Sequence, residues 1–235
     1  MNFMKGTFKN PSCPQKRASS ALLFLGSRLR GNDGKWVFRN ILKMVFAATL
    51  SIATVVGAAD PDAAIKSSFK AKNQAGLERL ERSPMQAACS GPVGMTLPQA
   101  EAGKIQSAAL AAVKFPADGK FLGNWEAGEK IAQTGTGMQY SDDPANPNGG
   151  NCYACHQLAP KEIAYGNLGP SLTGYGKQRG QSAEMLKYTW TRLWNSHAYN
   201  ACSHMPRFGD AGILTEQQLK DVMALLFDPA SPVNQ

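Results

Sequence analysis

Apolar residues recur along this chain every three to four positions rather than every second one, and that spacing predicts helices. Asn124 is placed to cap a helix whose inner face takes Trp125, Gly128 and Ile131. Ser182 caps a run that carries Met185, Leu186, Trp190 and Leu193 at helical offsets. Thr215 and Gln218 form a capping box ahead of Leu219, Val222, Met223 and Leu226, and Asp228-Pro229 stops that helix. Before these, the stretch from Asp60 to about Phe115 is rich in Ala, Lys, Gln and Glu. It reads as two or three short helices, broken at Ser83-Pro84 and near Gly91-Pro92. Leu97-Pro98 opens the best of them, with Ile105, Ala108, Ala109 and Ala112 on one face. No run alternates for long, so the fold class is all-α.

The chain has 235 residues and a formal charge of +8. Position removes most of that charge's meaning. Residues 1–59 hold nine Lys and Arg against one acid, Asp33, so residues 60–235 carry sixteen of each sign and are neutral. Without a clustered basic stripe on the body, nucleic acid is excluded as a partner.

The leader has its own pattern. Arg39 to Lys43 is basic, Met44 to Val56 is apolar, and Gly57-Ala-Ala59 is small, which is the layout of a cleaved secretory signal peptide. The uncharged run to Ala59 is shorter than the roughly 20 residues a spanning helix needs, so no stable membrane insertion is expected after its removal. Residues 1–36 fit no part of such a signal. Ser27-Arg-Leu-Arg-Gly-Asn-Asp-Gly34 looks like translated intergenic repeat, and the start reads as mis-called, with translation beginning near Val37 or Met44. The expected organisation is a leader over 1–59, a helical extension over 60–117 and a main domain over 118–235, in a protein exported to the periplasm.

Asn151-Cys-Tyr-Ala-Cys-His-Gln-Leu158 carries the chemistry. In the spacing C-x-x-C-H, two thiols one helical turn apart can add to the two vinyl groups of a porphyrin edge. The next residue then presents an imidazole to the iron. One covalent haem c on Cys152, Cys155 and His156 is therefore expected. A redox dithiol would need a βαβ setting, which the pattern lacks. A zinc site would need further ligands, and Cys202 with His204 match no common zinc spacing.

For the sixth position of the iron, the candidates are Met185, His197, Cys202, His204, Met205 and Met223. Met205 is favoured because it lies in a loop stiffened by Pro206, while Met185 and Met223 fall on apolar helix faces; His204 is the runner-up. No residue is assigned as a bond-making catalyst. Leu168-Gly-Pro-Ser-Leu172 resembles the loop of class I cytochromes c whose Pro carbonyl accepts a hydrogen bond from the proximal imidazole. That resemblance implies that Pro170 orients His156. Cys89 and Cys202 remain, and either form a disulfide between the extension and the Met205 loop or leave one thiol free.

Four segments together resemble a known family: Asn151 to Leu158, Ala164-Tyr-Gly-Asn-Leu-Gly-Pro-Ser-Leu172, Ala201-Cys-Ser-His-Met-Pro-Arg-Phe-Gly209 and Gly212-Ile-Leu-Thr-Glu-Gln-Gln-Leu219. It is SoxX, the monohaem subunit of the SoxAX cytochrome of bacterial sulfur oxidation. Asp228-Pro-Ala-Ser-Pro-Val-Asn234 is similar as well, and the likeness covers about Phe121 to the C-terminus. It implies a class I cytochrome c-like haem domain behind an N-terminal helical extension. It also implies an enzyme, the L-cysteine S-thiosulfotransferase that oxidatively couples thiosulfate to a cysteine of the SoxYZ carrier protein.

In that family the sulfur chemistry is placed on a SoxA-type dihaem or monohaem partner subunit. The chain resembling SoxX accepts the electrons and hands them to a downstream cytochrome. The residues alone also allow a free periplasmic class I cytochrome c electron shuttle, or a haem-based sensor. Secure Met ligation argues against the sensor.

Overall fold

The computed structural model describes residues 60–91 and 96–235. The leader, and the signal-peptide and start-site expectations placed on it, lie outside the described residues. Among the described residues seven α-helices run in order: α1 Pro61–Ser68, α2 Pro84–Ala88, α3 Gln99–Ala111, α4 Trp125–Gln133, α5 Tyr175–Arg179, α6 Ala183–Trp194 and α7 Glu216–Phe227. Short 3-10 turns occur at Leu77–Leu80, Cys152–Ala154, Ser196–Ala198 and Pro232–Asn234. Among the described residues there is no strand, only an isolated bridge between Lys72 and Ala75. The fold is all-α. No described helix is long and apolar enough to cross a membrane.

The main helices start where capping chemistry starts them. Asn124, Ser182 and Thr215 each accept the backbone N–H of the residue three positions on, and Gln218 returns the bond to Thr215. Helices α4 and α7 form the principal packing pair. They cross closely because Gly128 of α4 sits where any Cβ would meet the Asp221 carbonyl of α7. Asp221 is buried, and its carboxylate accepts from Asn124 N–H and from Gln217 Nε2, each at 2.9 Å. Trp190, Leu219, Met223, Leu225, Phe227 and Val233 fill the core around this crossing.

The C-terminal tail is knitted into the same core. Asn234 donates to Leu226 O and Asp228 O, and its oxygen accepts from Gly176 and Lys177 N–H. One buried amide thus closes the end of α7 and caps the start of α5.

In the extension, Ser83-Pro84 marks a boundary between short helical pieces as expected: the 3-10 turn Leu77–Leu80 precedes it, and α2 starts there because Ser83 and Gln86 form a capping box and Pro84 occupies the first turn. On α3 the expected face is corrected in part: Ile105 and Ala109 turn inward, joined by Ala102 and Gln106, while Ala108 and Ala112 are exposed. An alanine-rich helix has too little contrast between its faces for periodicity to orient it.

The extension is tied to the rest at four places. Asn73 and Gln74 donate to carbonyls of Tyr140, Gln139 and Asp142, and Arg79 to Met138 O. Cys89 forms a disulfide with Cys202. Helix α3 packs on the turn Ser196–Ala198, with Gln106 donating to Tyr199 O. Trp190 Nε1 donates to Lys114 O at 2.8 Å.

Candidate functional site

Helix α4 ends at Gln133, and the chain that follows is folded back on it. Gly150 N–H bonds to Ile131 O and Asn151 N–H to Thr134 O, both at 2.8 Å. Asn151 takes a left-handed conformation with φ 46° and delivers the chain into the 3-10 turn Cys152–Ala154. This tight turn takes the place of the short α-helix expected at the motif. His156 N–H still reaches Cys152 O at 2.9 Å, so the two cysteines and the histidine lie on consecutive levels of one coil.

Cys152 and Cys155 carry free thiols. Burial pushes the Cys152 thiol up to about 12, favouring its neutral form.

The return loop from Pro160 to Leu172 is laced to the motif. Gly166 N–H bonds to Tyr153 O, Gly169 N–H to Cys155 O and Leu172 N–H to Gln157 O. These rungs bring the Pro170 carbonyl to 2.7 Å from His156 Nδ1. A carbonyl only accepts, so Nδ1 carries the proton and Nε2 keeps its lone pair for a metal. Gly169 makes the approach possible, because a Cβ there would occupy the imidazole ring.

The second loop hangs from the end of α6. Met205 is half-buried against the same core that receives Cys152, Tyr153 and Leu172. Its carbonyl accepts from Ser196 Oγ at 2.8 Å, and its N–H donates to Ser203 Oγ at 3.2 Å. Beyond it, Arg207 pairs with Asp210, Phe208 is buried, and Gly209 lies against the face of Trp194. The N–H groups of Gly209 and Asp210 both bond to Trp194 O.

The other candidates for the sixth position lie elsewhere. Cys202 is held in the disulfide, which also removes it from any zinc set. Met223 is fully buried in the core and Met185 packs on its edge. Buried His197 bonds through Nδ1 to Ala201 O, and His204 is exposed.

Sequence reasoning missed Trp194. Its Nε1 is, among the described residues, the one buried side-chain nitrogen or oxygen lacking a hydrogen-bond partner. A buried donor of this kind calls for an acceptor, and a porphyrin brings two propionate carboxylates. With the paired thiols and an imidazole already fixed as the Nδ1–H tautomer, the donor set fits haem c. Four tryptophans in the chain gave no signal as to which one would be left with its N–H unsatisfied.

A family model described as Cytochrome c matches residues 125–227. A protein of Aquifex aeolicus, described as an uncharacterized lipoprotein, is 39% identical over 153 residues, which are 64% of this chain and 71% of that protein.

Proposed function

The chain belongs to one family with that Aquifex aeolicus protein and carries a cytochrome c domain with covalently bound haem c, and from this we propose that it is the electron-accepting subunit of a thiosulfate-oxidising SoxAX-type complex. An electron-transfer haem protein is what the domain makes it; the place in sulfur oxidation is the proposal.

The observation that carries the reading is the His156–Pro170 bond beside the paired thiols, with the Met205 loop buried against the same core. Haem, when bound, supplies a one-electron iron couple. Cys152 and Cys155 tether it, and His156 offers Nε2 to the iron. Pro170 O, by accepting from Nδ1–H, holds the ring and raises its basicity. Met205 offers a thioether, a soft ligand that favours the ferrous state and raises the potential relative to two imidazoles. Trp194 Nε1, buried with its N–H unpaired, would be available to a propionate.

The sulfur assignment is supported by the segments resembling SoxX, above all Met205-Pro-Arg-Phe-Gly209. The partners proposed are a SoxA-type cytochrome subunit bearing the catalytic centre, the SoxYZ carrier reached through it, and a downstream cytochrome. Ile163 is 96% and Leu168 81% exposed in the loop laced to the haem motif, apolar surface that a subunit contact would cover. A periplasmic location is supported by the leader pattern, by the Cys89–Cys202 disulfide and by the relative's description as a lipoprotein.

The test is to express the gene with its chromosomal neighbours, purify the haem protein and add thiosulfate with carrier. Co-purification with a larger cytochrome and thiosulfate-dependent haem reduction are expected. Reduction of the isolated chain by thiosulfate would place the chemistry here instead, and purification alone with no response would leave a free electron shuttle.

A further inference from the structure

We propose that the Cys89–Cys202 disulfide, with α3 behind it, is a brace that positions Met205, so that the extension tunes how firmly the thioether is held at the iron. The inference rests on the reading of Met205 as axial ligand.

Cys202 stands three residues before Met205, so at roughly 3.5 Å per residue the crosslink acts within about 10 Å of the sulfur-bearing backbone. Residues 199–205 bond to one another and to the preceding turn: Asn200 N–H to Ser196 O, Ser203 N–H to Asn200 O, and Met205 through Ser196 and Ser203. Toward the main domain the loop is held by packing, with the Tyr199 ring 4.9 Å from that of Tyr188 and under Arg192 of α6, and Met205 against the core. Its directional ties to the extension are Gln106 Nε2 on Tyr199 O and the disulfide to Cys89.

The base of the brace is firm. Helix α3 packs on the turn Ser196–Ala198, the same turn whose Ser196 holds the Met205 carbonyl. The chain after α3 is fixed by Trp190 Nε1 on Lys114 O, and the chain before α2 by Arg79 on Met138 O. Loop segments open locally where few bonds cross to the scaffold, and a crosslink removes open states. Opening of this loop takes the thioether away from the iron and lets an external ligand compete.

The experiment uses the ferric holoprotein and three forms: wild type, Cys89→Ser/Cys202→Ser and Met205→Ala. The readouts are the far-red sulfur-to-iron charge-transfer band, the affinity for added imidazole and the unfolding midpoint. The double serine form should keep its haem and its band and bind imidazole about tenfold more tightly, since apparent affinity scales with the open fraction. Imidazole affinity equal to wild type, with only the midpoint lowered, would reduce the disulfide to a staple of the fold and overturn the proposal.

Retention of the band in Met205→Ala would instead overturn the ligand reading, so the two failures are distinguishable. Should the double variant not accumulate, wild type is treated with a phosphine, which takes oxygen from water as the disulfide becomes two thiols. The thiols are then capped with iodoacetamide, the haem is reoxidised, and the same rise in imidazole affinity is expected.

Discussion

At Gly169 the lack of a methyl group decides where the His156 ring lies. Alanine there would drive its Cβ into the imidazole, so the ring must turn and leave the Pro170 carbonyl. Gly169→Ala should lower stability by about 1–3 kcal/mol, the usual range for overpacking, and raise the high-spin fraction of the ferric haem as the iron–imidazole bond is misaligned. Electron paramagnetic resonance reads the second effect. Gly103→Ala is the control: nothing lies within 4 Å of its Cβ, its helix is regular, and a gain of about 0.5–1 kcal/mol is expected with an unchanged spectrum. At the other axial position, Met205→Ala should abolish the far-red band and lower the reduction potential, whereas Met185→Ala, on the edge of the core, should keep both. The opposite pattern in those spectra would exclude Met205. What the sequence disclosed at this scale was local: two tethering thiols and one imidazole within five residues, and a proline fourteen residues on. Trp194 and Ser196 escaped notice because their significance lies in which atoms tertiary packing leaves beside them.

Among the helices, capping was legible and orientation was not. Asn124, Ser182 and Thr215 act on N–H groups three residues away, so their roles follow from sequence distance alone. Which face of α3 turns inward depends on partners some ninety residues away, Tyr199 among them, and its alanines carry no contrast to reveal it. The crossing of α4 and α7 lies between these cases. Gly128 was readable as part of an apolar face, yet its reason for being glycine is the Asp221 carbonyl opposite. Two effects compete at this position. Alanine is the better helix former by about 1 kcal/mol, but separating the helices disturbs the packing of Leu225 and the buried Asp221 carboxylate that holds Asn124. Since overpacking costs about 1–3 kcal/mol and the lost polar bonds add to it, Gly128→Ala should destabilise. Urea unfolding of the haem-loaded protein measures the sign, and a gain in stability would mean that the helices have room to part.

Across the whole molecule, the extension reaches the main domain through discrete ties rather than through a second core, and an ion pair where the main domain begins responds to pH. Asp118, between the extension and α4, meets Lys220 of α7, which also pairs with Glu216. The Lys120 N–H and then the Lys220 ammonium hold the Asp118 carboxyl below its ordinary value of 3.8. Glu216 and then Asp118 hold the Lys220 ammonium above its ordinary 10.5. A lowered carboxyl adds stability that is present above the ordinary value and is lost as pH falls through the lowered one. A raised ammonium adds stability that is present below its ordinary value and is lost as pH rises through the raised one. Wild type should therefore unfold at higher urea than Asp118→Asn over the broad range between, and the gap should close on the acid side once Asp118 is protonated in the folded chain. On the alkaline side the gap narrows as Lys220 loses its proton. Asp118 is half exposed while the Lys220 side chain is largely covered, so added salt should shrink the difference in part. A gap that persists at acid pH would mean that the carboxamide fails the Lys120 N–H geometrically, and that the charge on Lys220 contributes nothing to holding the Asp118 turn against α7.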